Sequence, residues 1–183
     1  NESAATPASR DWQYAMVEEG KRREAELGGM RHPTWISAMW PSAPEVNDWL
    51  RAGPSEAMSP SNLRTYIGIG DDYMLDPPPG DGVKVVFADT DHIWGIGGDV
   101  DWVWRSFLRG LNPVFMDPWD GDFVVHPPYG PGARPAMGLA RNLSEEIDLA
   151  AMTPRGQLAS SGCALADPAR EVIVAFQPAD GKL

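Results

Sequence analysis

An α/β fold built on a parallel sheet is what this sequence predicts, and three observations carry the expectation. Short β-branched and aromatic runs alternate with amphipathic stretches up to about residue 155, the order in which helices connect parallel strands. Beyond that point the pattern turns to β only, with Ser160–Ala166 and Glu171–Gln177 joined by Asp167-Pro168-Ala169-Arg170. Polar clusters fall just past the predicted strand ends, where closed barrels and open parallel sheets alike gather functional side chains.

Taken in order, Asp11–Leu27 reads as an amphipathic helix among dense charges, with Ser9 or Asp11 to cap it and Gly28-Gly29 to stop it. His32–Trp40 (HPTWISAMW), ended by Pro41, suits a buried strand. Turn formers dominate Pro44–Pro60 and Leu63–Pro79, where Ala57-Met58-Ser59 alone hints at a strand and the DPPPG run forms a rigid, non-helical connector. Val83–Ala88 is the clearest strand and runs into Asp89-Thr90-Asp91-His92. A compact helix over Asp101–Arg109, ended by Gly110, leads to a strand over Asn112–Met116 and then to Asp117-Pro118-Trp119-Asp120. After a Pro/Gly loop, a helix is expected from about Pro135 to Met152. Trp12, Trp35, Trp102 and Trp104 are expected in the core, and Cys163 in a buried strand.

Composition narrows the partners. With 15 Lys+Arg against 26 Asp+Glu the net charge is −11, which opposes the phosphate neutralisation that nucleic-acid binding needs. Eight Trp and 43% hydrophobic residues are too many for a disordered chain, despite 19 Gly and 18 Pro. One cysteine excludes an intrachain disulfide framework and a cysteine-based zinc cage. No apolar run approaches the roughly 20 residues of a bilayer helix, so membrane insertion is not expected.

Asp89-Thr90-Asp91-His92 is the sharpest constellation. Strand alternation would set Asp89 and Asp91 on one face, and two close carboxylates drive their pKa values apart, giving an acid, a base or a nucleophile. In the plainer alternative one Asp caps the following turn and His92 bonds to backbone. A metal reading of the same oxygen and imidazole groups is weaker, because the chain has three His and no second ligand cluster. Trp40, Trp94 and Trp119 stand at or beyond strand ends, where flat faces stack on sugar rings while neighbouring acids, Asp117 among them, bond hydroxyls. Gly95-Ile96-Gly97-Gly98-Asp99 resembles half of a phosphate loop, but Asp99 and Asp101 would repel phosphate and no Gly-Lys-Ser/Thr follows, so these read as turn glycines at the start of a helix. His126 and Tyr129 line a cleft or pin their loop.

The stretch DTDHIWGIGGDVDWVWRSFLRGLNPVFMDPWDG, with the opening NES and the ending DLAAMTPRGQLASSGCALADPAREVIVAF, resembles bacterial glycoside-hydrolase-like proteins that carry a C-terminal β-domain labelled collagen-binding, relatives of the apiosidase-like (β/α)8 barrels. The resemblance covers residue 1 to about residue 177. It implies the C-terminal half of a (β/α)8 TIM barrel over residues 1–155 and the start of an accessory β-sandwich over residues 156–183, the chain being a fragment that opens at the end of barrel strand four. HPTWISAMW would be strand five, the region of Met58 strand six, VKVVFAD strand seven and NPVFMD strand eight. Asn1-Glu2 then matches the Asn-Glu pair that ends strand four in the related clan of retaining glycosidases, which makes Glu2 the general acid/base and puts Asn1 against substrate. The nucleophile at the end of strand seven falls on Asp89 or Asp91, although that clan usually carries Glu there.

The function so implied is hydrolysis of a poly- or oligosaccharide by two carboxylates through an oxocarbenium-like transition state. His92 would orient the acids, and Trp40, Trp94, Trp119 and Asp117 would hold the sugar. No cofactor and no metal is required. The alternative is a non-catalytic carbohydrate- or protein-binding module on the same barrel. A secreted or periplasmic location is expected, compatible with the acidic charge and the lack of cysteine pairs.

Overall fold

The computed structural model describes residues 4–38, 45–61, 71–93, 98–115 and 132–175, and for residues 91 and 92 the backbone alone. In chain order these form α1 (Pro7–Leu27), β1 (Trp35–Ser37), α2 (Val46–Ala52), β2 (Ala57–Ser59), β3 (Val85–Asp89), α3 (Thr90–Ile93), α4 (Val100–Leu108), β4 (Asn112–Val114) and α5 (Ala133–Glu146). They continue as β5 (Thr153–Pro154), a 3-10 turn at Gly156–Leu158, β6 (Ala164–Asp167) and β7 (Val172–Ala175).

The expected α/β class is what the chain adopts. Strands β1 to β4 form one sheet in the order β1-β2-β3-β4, every pair parallel. Strands β5 to β7 form a small antiparallel sheet, the β-only tail of the pattern. Among the described residues no helix is long and apolar enough to cross a membrane.

Alternation along the parallel strands separates two faces. Ile36, Met58, Val86 and Ala88 face one way, all buried in one core cluster with Val17 of α1, Leu50 of α2 and Val103 and Phe107 of α4. On the opposite face Trp35, Val85 and Val114 are exposed, and the Trp35 and Phe87 rings meet with centroids 5.2 Å apart. Farther along the strands the same face turns polar and buried, at Ser37, Ser59 and Asp89.

Local chemistry explains the element ends. Helix α1 begins four residues earlier than expected, because Thr6 rather than Ser9 or Asp11 is its cap. The Thr6 hydroxyl accepts the Ser9 N–H at 3.2 Å, and Pro7 supplies a pre-set φ at the first turn. Gly28, at φ 66°, closes the helix as expected. Asp99 caps α4 by accepting the Trp102 N–H at 2.8 Å, and Gly110, at φ 77°, follows its end.

Several expectations are corrected. Helix α2 lies inside the segment read as turns, and β5 was not foreseen. Strand β1 comprises three residues, with His32–Thr34 outside it, and α5 stops at Glu146 before a turn that runs to Ala151. Trp12 and Trp35 are 59% and 48% exposed instead of lying in the core. Trp12 stands on the solvent side of α1, and Trp35 on the face that no described helix covers. Trp102 and Cys163 are buried as expected, Cys163 directly before β6.

Candidate functional site at the carboxyl ends of the strands

Strand β3 is formed by VVFAD, a β-branched and aromatic run, and its last residue is Asp89. Asp89 is 8% exposed and pairs in register with Val114 of β4. The chain then makes one helical turn, α3, starting at the fully buried Thr90. This corrects the expectation that strand alternation sets Asp89 and Asp91 on one face, because the strand ends at Asp89 and Asp91 belongs to the turn. The side chains of Asp91 and His92 lie outside the described residues, as do Asn1, Glu2, Trp40, Trp94, Asp117 and Trp119 entirely, and His126 and Tyr129. Of the glycine-rich run, Gly98 at φ 106° and Asp99 are described, and they lead into α4 as turn and cap.

Three described groups that sequence reasoning passed over stand at the same end of the sheet. Ser37 is in register with Ser59. The Ser59 hydroxyl donates to the Phe87 carbonyl at 3.3 Å. The Ser37 hydroxyl is buried with no hydrogen-bond partner among the described residues. The chain leaving β2 is held by a reciprocal pair: Asn47 Nδ2 donates to the Ser61 carbonyl at 2.8 Å, and the Ser61 N–H donates to Asn47 Oδ1 at 2.9 Å. The signal available in the sequence was the placement of Ser37 and Ser59 two positions after Trp35 and Ala57, which puts both hydroxyls on one face as strands close.

Compared with family models, curated proteins and solved structures, the chain matches none.

The opposite end of the sheet has a different character. Glu56, just before β2, accepts the backbone N–H and the hydroxyl of Thr34, each at 2.8 Å, and pairs with Lys21. The ammonium of Lys21 and these bonds from Thr34 hold the Glu56 carboxyl down at about 2. Lys84, just before β3, donates to the Gly53 carbonyl at 2.7 Å and to the Ser55 carbonyl and hydroxyl at 2.8 and 3.0 Å. Burial pushes its ammonium below the ordinary lysine value. Arg109, after α4, pairs with Asp76 at 2.6 Å and donates to the Pro77 carbonyl, which ties down the DPPPG connector. Nearby, Arg51 donates to the Tyr73 hydroxyl at 2.9 Å, and burial pushes that phenol up to about 12.

Two cavities open at this end. One, of about 450 Å³, is lined by Asp71, Asp76, Arg109, Pro154 and Gln157, and the other, of about 420 Å³, by Lys84, Asn112, Met152 and Arg155. Of their charged walls, Asp76, Arg109 and Lys84 are engaged in the bonds just described. Among the described residues no three of His, Cys, Asp and Glu converge as metal ligands.

Proposed function

We propose that this chain supplies strands five to eight of a (β/α)8 glycoside hydrolase and the beginning of an accessory β-sandwich, and that the protein hydrolyses glycosidic bonds in an oligo- or polysaccharide outside the cytoplasm. The observation that carries the reading is Asp89, a carboxylate 8% exposed at the C-terminal end of a parallel strand, on the sheet face away from the helices. In barrel enzymes catalytic groups stand at such strand ends.

The strand order supports the reading as well. Four parallel strands in chain order with their helices on one face are the arrangement that half of a closed barrel would have. The opposite face, apolar at Trp35, Val85 and Val114, is the kind of surface a barrel turns inward.

In this mechanism Glu2 protonates the leaving oxygen and then activates water, and Asp89 or Asp91 attacks or stabilises the anomeric carbon. His92 orients the acids. Trp40, Trp94 and Trp119 stack on the sugar, with Asn1 and Asp117 on its hydroxyls. Aspartate is one methylene shorter than the glutamate usual at this strand end, so the backbone must approach the sugar more closely.

The test is reducing-sugar release by the full gene product over a panel of plant and bacterial glycans, with NMR of the first-formed anomer. Glu2→Gln and one of Asp89→Asn and Asp91→Asn should abolish turnover while circular dichroism stays native. Full activity in both aspartate variants overturns the assignment to this strand end. Binding without turnover in the wild type favours the non-catalytic carbohydrate-binding scaffold.

A further inference from the structure

We propose that Ser37 is a carbohydrate-binding residue whose hydroxyl bonds to the sugar unit next to the one held at Asp89. This rests on the glycoside-hydrolase reading and extends it to a position that its motifs do not include.

Ser37 ends β1 and is 1% exposed, and its Oγ has no partner among the described residues. A buried hydroxyl left unpaired is costly, so such groups are rare unless a ligand or water completes them. Serine ordinarily avoids the cost by bonding to nearby backbone. Ser59, its neighbour in register, does so through the Phe87 carbonyl. Ser37 makes no such bond among the described residues. Trp102 Nε1 and Ser106 Oγ are unpartnered too among the described residues, but both belong to α4, and Trp102 is part of the helix-side core. Ser37 alone of the three stands at the strand ends, on the face that bears Asp89.

The register gives its distance from the chemistry. Ser37 lies level with Ser59, and Ser59 reaches Phe87, so Ser37 is two strands away from β3 and one side-chain layer below Asp89. At ordinary strand spacing and rise the two Cα positions are roughly 12 Å apart. A single sugar ring does not bridge that separation, whereas two linked rings do. Ser37 therefore addresses a neighbouring unit of the chain and contributes to affinity and choice of substrate, with the bond-breaking left to the carboxylates.

The experiment compares Ser37→Ala and Ser59→Ala with wild type in the full gene product, using xylohexaose, cellohexaose and mannohexaose as calorimetric probes and thermal melts without sugar. Ser37→Ala should weaken binding of the preferred hexaose about tenfold, raise KM with kcat little changed, and leave Tm equal or higher, since it removes a hydroxyl that lacks a partner. Ser37→Thr, which keeps the hydroxyl, should recover affinity. Ser59→Ala should bind as wild type and melt slightly lower. If wild type binds a hexaose and Ser37→Ala binds it equally, or if Ser37→Ala lowers Tm and leaves affinity intact, the proposal is overturned while the hydrolase reading stands. If wild type neither binds nor cleaves any of the glycans, the hydrolase reading falls and this assignment falls with it.

Discussion

The two ends of the parallel sheet differ in how completely their polar residues are bonded. At the N-terminal end Glu56, Lys84 and Arg109 each make two or more hydrogen bonds to backbone or opposite charge, so their polarity is consumed in stitching loops to strands. At the C-terminal end Asp89 is buried on the helix-free face and Ser37 keeps an unpartnered hydroxyl among the described residues. Ser59 and Asn47 at that end are bonded as well, to the Phe87 carbonyl and to the Ser61 backbone, so the unpartnered Ser37 hydroxyl is what sets the end apart.

Substitutions at the two ends should therefore separate activity from stability. The largest expected effect is that of Asp89→Asn if Asp89 is the nucleophile: turnover of the preferred glycan falls by about 10³-fold or more, as for loss of a group that acts in the transition state. Its urea-unfolding midpoint stays near that of wild type. A midpoint that drops steeply would mean that Asp89 serves the fold, and the contrast between the ends would disappear.

Asn47→Ala probes a fully committed side chain at the C-terminal end. It removes both bonds to Ser61 in a buried setting, and we expect a loss of about 2–3 kcal/mol in chemical unfolding. Lys84→Met follows, with about 1–2 kcal/mol lost and turnover unchanged, because three acceptors lose their donor at a site partly open to water.

Glu56→Gln is the smallest, under about 1 kcal/mol, since solvent screens the exposed pair with Lys21. Its signature is the pH dependence. The folded Glu56 carboxyl sits at about 2, below the ordinary value of 4.5. Its contribution is therefore complete above pH 4.5 and is lost as pH falls toward 2. Melting curves across that interval should show a shallower decline for Glu56→Gln than for wild type. Parallel declines would assign the acid sensitivity to other carboxylates.

The fold class and the place of Asp89 were legible in the sequence, and the illegible parts have physical reasons. The run VKVVFAD announced β3 because β-branched and aromatic residues crowd it. Helix α2 was hidden because seven residues, VNDWLRA, span barely two turns and sit among prolines, too few for a 3.6-residue period to emerge. The Thr6-Pro7 pair was a readable start for α1, obscured by the stronger charge pattern that begins at Asp11. Asp89 was found by its place after a strand. The two-residue alternation failed at Asp91 because a strand's period has no meaning once the backbone turns helical, and the bend at Thr90 carries no glycine or proline to mark it. Ser37 went unnoticed because a hydroxyl in an apolar run looks neutral until its neighbours are known to leave it unpaired.

The strand order carries a consequence for how such a protein assembles. Each strand of the parallel sheet pairs with one roughly 25 residues away in the chain, so every docking step closes a loop of similar, modest length. In a sheet of this order each strand-and-helix unit can dock on the one before it in the chain. Each new strand finds a finished edge waiting and in turn becomes the edge for the next.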